Sequence, residues 1–385
     1  MQTPQNGTAA HRAPAMTALS GNEIYCMHLK GYVPLGICIG NSIQSMGFLG
    51  SIGSSFNNAL GGEIDQVTRT IHDGRVAAFA RLVEEAKREG ASGVVGVSSD
   101  LRNLASNTEF LFVGTGVAGP NGNPDGQPFT SAGDAQELYC HMDAGYMPLH
   151  FVFGNIAYSI GLGGNLLASL RTLVRGEVRE YSDMFNATRH LALSRLCDHA
   201  RQCGANAVVG IRTHMGTITG AHEMYMTGTA AFHRGLAPHP HGEPVTSDLT
   251  GEELWSLASM GYMPIKQLIA TSVYSLGAVG QLTAMFKGLK RGEIPELTSL
   301  VYEARENVFD RMQRDASAIG AEKVVGIKTH IVELGQNLIE ILAVGTAVKR
   351  VPGIGVATPN LPAQAIIRDK NTWMSSSWDI GVLNS

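Results

Sequence analysis

The sequence predicts an α+β protein built from three tandem copies of one small domain. Three observations predict this. Short motifs return in the same order at near-constant spacing along the chain. Each copy holds a long segment of helical periodicity and apolar segments of strand character. Two stretches rich in Pro, Gly and small polar residues separate the copies.

The repeat is read from four anchors. "GYVP" at Gly31 returns as "GYMP" at Gly145 and Gly261, and "GGE" at Gly61 as "RGE" at Arg175 and Arg291. "GASGVVGV" from Gly90 returns as "GANAVVGI" from Gly204 and "GAEKVVGI" from Gly320. "GTG" at Gly114 returns as "GTA" at Gly228 and Gly345. The period is too long for a solenoid, so each copy is a compact domain of about 100 residues. The domains span 22–118, 136–234 and 252–350, joined by linkers over 119–135 and 235–251. Residues 1–21 read as a flexible lead-in, and 351–385 as an extended or disordered tail.

Within a copy the expected order is strand, helix, strand, strand. "ELYCHMDAGYMPLHFVFG" mixes β-branched, aromatic and apolar residues and reads as a strand bent at Pro148. "NIAYSIGLGGNLLASLRTLV" reads as a glycine-loosened helical stretch. A clearer helix runs from Tyr181 to Gln202, with Met184, Ala187, Leu191, Leu196 and Ala200 at helical spacing. Leu300, Ala304, Val308 and Met312 keep the same rhythm in copy three. Gly204 and Gly320 stand where a left-handed cap ends the helix. "NAVVGIRTH" and "EMYMTGTAAFH" then form a hairpin, which "GA..VVGI" opens in every copy.

Composition narrows the function. Only 16% of residues are charged and 46 are glycine, which points to close backbone approaches and surface hidden between copies. A net charge of -4 offers no footprint for nucleic acid. The run from Gly31 to Gly62 lacks any charged side chain, but Pro34, Asn41, Gln44, Asn57, Asn58 and its glycines argue against a membrane span. The N-terminus has no apolar signal core, and the five cysteines form no CxxC pair, so a reducing cytoplasm is expected. The glycine-rich loops lack a Walker lysine, and no nucleophile–base spacing is readable. A domain this thin buries only part of its apolar surface and is expected to hide the remainder in a homo-oligomer.

"GAEKVVGIKTH…EILAVGTAVKR" resembles the C-terminal half of the YbjQ family, a family described as heavy-metal-binding. The resemblance rests on the RGE-type turn, the long helix, "GA.AVVGI" and the closing "GTAV"; copy one departs by ending "GTGV". It implies a dodecin-like β-α-β-β unit and assembly into a pentameric ring, and no established reaction. A ring or shell of three fused copies is therefore the expected function, with heavy-metal buffering as the alternative.

The metal alternative has its own candidates. Asp100, His214 and His330 share one position on the first hairpin strand, and Glu109, Glu223 and Glu340 share one on the second. A His and a Glu facing each other across a hairpin suit a zinc or copper ion or a hydrogen bond. One domain supplies two ligands where a closed site takes four, so a subunit junction would complete it. Cys26 and Cys140 are equivalent and read as buried packing residues. The tail carries Trp373 and Trp378, large apolar faces suited to docking on the assembly or on a protein partner.

Overall fold

The structure is a computed structural model describing residues 14–45, 62–104, 107–120, 126–159, 176–218, 221–236, 242–276, 295–335 and 338–362. It is α+β, with one pattern written three times. Repeat one comprises α1 (Gly21–Leu29), β1 (Val33–Ser45), β2 (Gly62–Glu63), α2 (Asp65–Arg88), β3 (Gly93–Leu104) and β4 (Asn107–Ala118). A linker strand β5 (Phe129–Thr130) leads into repeat two: α3 (Ala135–Asp143), β6 (Tyr146–Ser159), β7 (Gly176–Glu177), α4 (Arg179–Gln202), β8 (Ala207–Ile218) and β9 (Ala221–His233). A second linker strand β10 (Val245–Thr246) opens repeat three: α5 (Gly251–Ser259), β11 (Tyr262–Ser275), α6 (Pro295–Ala318), β12 (Lys323–Gly335) and β13 (Leu338–Arg350). Among the described residues no helix is long and apolar enough to cross a membrane.

The short helices correct the sequence reading, in which the first strand of repeat two begins at Glu137 and runs through Asp143. Ser20 accepts from the Glu23 amide while the Glu23 carboxylate accepts from the Ser20 amide, and Thr250 and Glu253 repeat this capping box. Asp134 caps α3 by accepting from the amides of Gln136 and Glu137. Tyr139 and Cys140 have strand character, but these caps hold the preceding turn in helix. Cys26 and Cys140 therefore lie on helices, both fully buried beside Tyr139.

The helical stretch expected from Asn155 is instead the end of β6 as far as Ser159, where an unbroken ladder to β9 holds it extended, and its remainder, 160–174, lies outside the described residues. The long helix and the hairpin follow the expected positions. The long strand bends where its register shifts, between Pro148 and His150 in repeat two. The long helix ends at a left-handed glycine, Gly204 (φ 73°) in repeat two and Gly320 (φ 69°) in repeat three. In each repeat the second hairpin strand lies between the first hairpin strand and the long strand, all antiparallel. The helix packs across one face of that sheet.

Contact between helix and sheet is closest at Gly40 and Gly154. A Cβ on Gly154 would overlap the Ala192 carbonyl oxygen and lie 2.6 Å from the Leu196 nitrogen. Repeat three has Ala270 at this place, so its helix accommodates a methyl group. Gly154→Ala is expected to push α4 off β6 and cost roughly 1–3 kcal/mol, read as a lower urea midpoint. Ala270→Gly, which demands no displacement, should cost less than Gly154→Ala.

Successive repeats are knitted together by backbone. Strand β2 of repeat one adds to the edge of β6, and β7 of repeat two adds to β11. In the opposite direction, the linker strands β5 and β10 lie parallel to β3 and β8 of the repeat they leave. The burial of the long strand records the outcome. Along β1 exposed and buried residues alternate, whereas β6 is buried almost continuously after its bend, as a strand covered on both faces is. One apolar cluster joins Ile71, Phe110 and Phe112 of repeat one to Phe151, Phe153 and Tyr225 of repeat two. Another joins Phe185, Leu196 and Met226 of repeat two to Ile269, Val273 and Leu342 of repeat three.

The short helices also stack, α1 on α3 and α3 on α5. Asp143 at the end of α3 ties them, accepting from Lys30 Nζ (2.8 Å), Trp255 Nε1 (2.8 Å) and Thr358 Oγ1 (2.7 Å). Burial pushes its carboxyl up, but these donors outweigh it and hold the group below its ordinary value. Thr358 belongs to the segment after β13, so the first part of the expected tail runs back across repeat two. Trp373 and Trp378 lie outside the described residues.

Candidate assembly interface

The chemistry at the repeat boundaries centres on one arginine and one glutamate. Arg75 on α2 extends from repeat one to Glu223 on β9, donating through Nη1 to Oε1 and through Nη2 to Oε2 (2.9 Å). Its guanidinium lies 3.7 Å from the centre of the Tyr225 ring. Arg189, one repeat later on α4, reaches Glu340 on β13 at 2.7 Å from Nη2 to Oε2 and 3.2 Å from Nε to Oε1. Tyr158 Oη accepts from Arg189 at 3.0 Å, and Thr271 Oγ1 donates to Glu340 at 2.8 Å.

Both pairs are buried, with Arg189 and Glu340 fully inaccessible. Burial alone would pull an arginine's pKa down; the adjacent glutamate reverses that and raises it for Arg75 and Arg189. Two fork-shaped cations therefore sit charged inside apolar seams, each matched to a carboxylate of the next repeat.

This arrangement assigns the six sequence candidates differently from the facing pair expected. In repeat two, Glu223 stands opposite Gly216 and His214 opposite Tyr225. In repeat three, Glu340 stands opposite Val332 and His330 opposite Leu342. Histidine and glutamate share a face but lie two residue pairs apart along the ladder. Asp100 faces Leu111 and accepts from Arg102 Nε at 2.8 Å, while Glu109 accepts from Asn41 Nδ2 at 3.2 Å. His214 is held below the usual imidazole range, by burial first and then by Arg212 and Arg75. His330 is exposed.

These residues do not fit a metal ion within one chain. Arg75 occupies both oxygens of Glu223, and Arg189 with Thr271 occupies both of Glu340. Among the described residues no three His, Cys, Asp or Glu side chains gather to hold an ion. Cys26 and Cys38 are no better placed, because burial pushes each thiol up to about 11. The arginines are what the sequence reading missed. Their signal was available: Arg75 in "HDGRVAAFA" recurs at the same helical place as Arg189 in "NATRHLALS" and Arg305 in "NVFD"-preceding "EARE".

Comparison with known proteins gives the repeats a common origin. The profile of the YbjQ family, described as "Putative heavy-metal-binding", matches residues 18–119, 146–234 and 264–351. An encapsulin nanocompartment protein of Mycobacterium tuberculosis is 31% identical over 250 residues, covering 62% of this chain and 91% of that protein. A UPF0145 protein of Methanocella arvoryzae is 51% identical over 61 residues, 16% of this chain and 51% of its own length. One from Vibrio parahaemolyticus is 40% identical over 80 residues, 20% of this chain and 76% of its own length. Three matches in one chain, each lying on one structural repeat, place this protein in the YbjQ family as a three-repeat member.

Proposed function

We propose that the chain is a non-enzymatic building unit that assembles with copies of itself into a ring or shell in the cytoplasm. The observation that carries this reading is the seam between repeats. Each junction buries an apolar cluster and an arginine–glutamate pair that a single repeat would leave open to water. Such a domain gains its core by meeting another like itself. The relative named as an encapsulin nanocompartment protein supports the same reading, since that name describes a compartment. Heavy-metal buffering is not favoured, because the two buried glutamates already hold arginines.

Electron micrographs of the purified full chain in negative stain test the proposal. Closed particles of uniform outline are expected. A field of dispersed 40.9 kDa particles at micromolar concentration would overturn it.

A further inference from the structure

Both seams inside the chain repeat one pattern, and each end of the chain carries one half of that pattern without its counterpart. At the helix position of Arg75 and Arg189, repeat three has Arg305, which is exposed and makes no ion pair among the described residues. At the strand position of Glu223 and Glu340, repeat one has Glu109, whose neighbour Arg102 is turned to Asp100. Among the described residues, a cation without an ion pair thus stands on repeat three, and a carboxylate held only by the Asn41 amide stands on repeat one.

The apolar surface around them divides in the same way. Ile37, Ile39 and Ile43 on β1 are 38%, 50% and 51% exposed, whereas their counterparts Phe151, Phe153 and Ala157 on β6 are each 1% exposed. Gln267, Ile269 and Val273, which continue the series on β11, are equally buried. On repeat three, Phe309 and Ile327 are 37% and 45% exposed, against 4% and 3% for Leu193 and Ile211 at the same places in repeat two. Isoleucines left open over a whole strand face mark a contact surface rather than scattered surface residues.

The backbone agrees. β5 and β10 lie parallel to β3 at Gly93–Val94 and to β8 at Ala207–Val208. The corresponding edge of β12, at Lys323–Val324, carries no such strand among the described residues. The segment that would supply one is Ala15–Met16, which precedes the Ser20 cap as β10 precedes the Thr250 cap. Met16 is 75% exposed, while Thr130 and Thr246 at its place in the linkers are 0% and 2% exposed. On the far side of repeat one, the edge of β1 carries no strand among the described residues, whereas β6 and β11 receive β2 and β7 there.

We propose that repeat three of one chain docks onto repeat one of a second copy through this same seam. Arg305 enters the pair with Glu109 of the second copy, and Ala15–Met16 of that copy lies parallel to Lys323–Val324. This deepens the assembly reading and rests on it: the occupant is another copy because the chain already makes the contact twice with itself. The two halves differ, so the contact is head-to-tail and propagates until it closes. A closed ring made solely of this seam holds a multiple of three repeats, which a five-place ring does not.

Charge reversal tests the seam, with mass measured by light scattering at micromolar concentration. Both side chains lie at the open ends, so Arg305→Glu and Glu109→Arg should leave the far-ultraviolet circular dichroism of the chain unchanged. Each single variant is expected to lose assembly and fall to the 40.9 kDa chain. Mixing the two variants in equal amounts should restore the wild-type mass, because the mixture offers one native and one reversed pair. Ile39→Lys, which removes an apolar contact without touching either charge, should give the same loss if a reversal variant fails to fold. Assembled wild type with unchanged mass in all three variants would overturn the seam while leaving the assembly reading intact. The open faces would then belong to residues 363–385 or to another protein. A wild-type chain that is itself 40.9 kDa would overturn both.

Discussion

Arg189→Ala should be among the most damaging substitutions in the chain, lowering its unfolding free energy by about 3–5 kcal/mol at fixed protein concentration. Arg189 and Glu340 have no solvent access, so the truncation leaves Glu340 as a buried charge holding only the Thr271 hydroxyl. It also opens the space beside Tyr158 and Phe185, over whose rings the guanidinium lies at 4.7 and 5.2 Å. Glu340→Ala should cost a similar amount, for it strands the arginine instead. Replacing both, as Arg189→Met with Glu340→Leu, removes the uncompensated charge, and Thr271 keeps its bond to the Ile341 carbonyl. The double variant should therefore be more stable than the sum of the single losses by over ~2 kcal/mol. Additive losses measured by urea denaturation would show that the two side chains act independently, against the seam as described.

His141→Leu should stabilise the protein, and more so in acid. His141 is 1% exposed on α3, and among the described residues neither ring nitrogen has a hydrogen-bond partner. The same helical slot holds Met27 in repeat one and Leu257 in repeat three, so an apolar side chain already fits the site twice. Removing two unsatisfied buried polar atoms should add about 1–3 kcal/mol at pH 7. Burial, and secondarily Arg212, pulls the imidazole down to about 4 from its ordinary 6.5. The folded chain thus keeps this histidine neutral while the unfolded chain takes up a proton below pH 6.5. Stability is full above pH 6.5, falls as the pH drops and levels off below about 4, a loss of about 3 kcal/mol for the whole interval. The leucine variant lacks this group, so its advantage over wild type should widen between pH 7 and pH 5. Parallel urea curves at the two pH values, with no change in that advantage, would contradict the assignment.

Much of the fold was legible because the repeat supplies its own control. Gly31, Gly145 and Gly261 mark the same turn, and the helix ending at Gly204 and its hairpin follow from periodicity that three copies share. The short helices were harder to see. Nine residues give too little periodicity to outweigh strand formers such as Tyr139, and the informative signal was the capping residue before each helix, Ser20 and Thr250 in capping boxes and Asp134 alone. The candidate site was half legible. Position along the hairpin singled out Glu223 and Glu340, but periodicity could not name partners 148 and 151 residues away on a different repeat. An antiparallel ladder is also unforgiving of register. His214 and His330 do occupy equivalent places, yet the pairing Gly216–Glu223 sets the histidine two residue pairs aside.

The glutamates and arginines give the three-repeat chain a direction, with a carboxylate face at one end and a guanidinium face at the other. A chain with two unlike, complementary ends should not remain alone in solution. Native mass spectrometry of the unaltered full chain tests this most directly. Particles whose mass is a whole multiple, greater than one, of the 40.9 kDa chain are expected. A single species at 40.9 kDa across the micromolar range would contradict it.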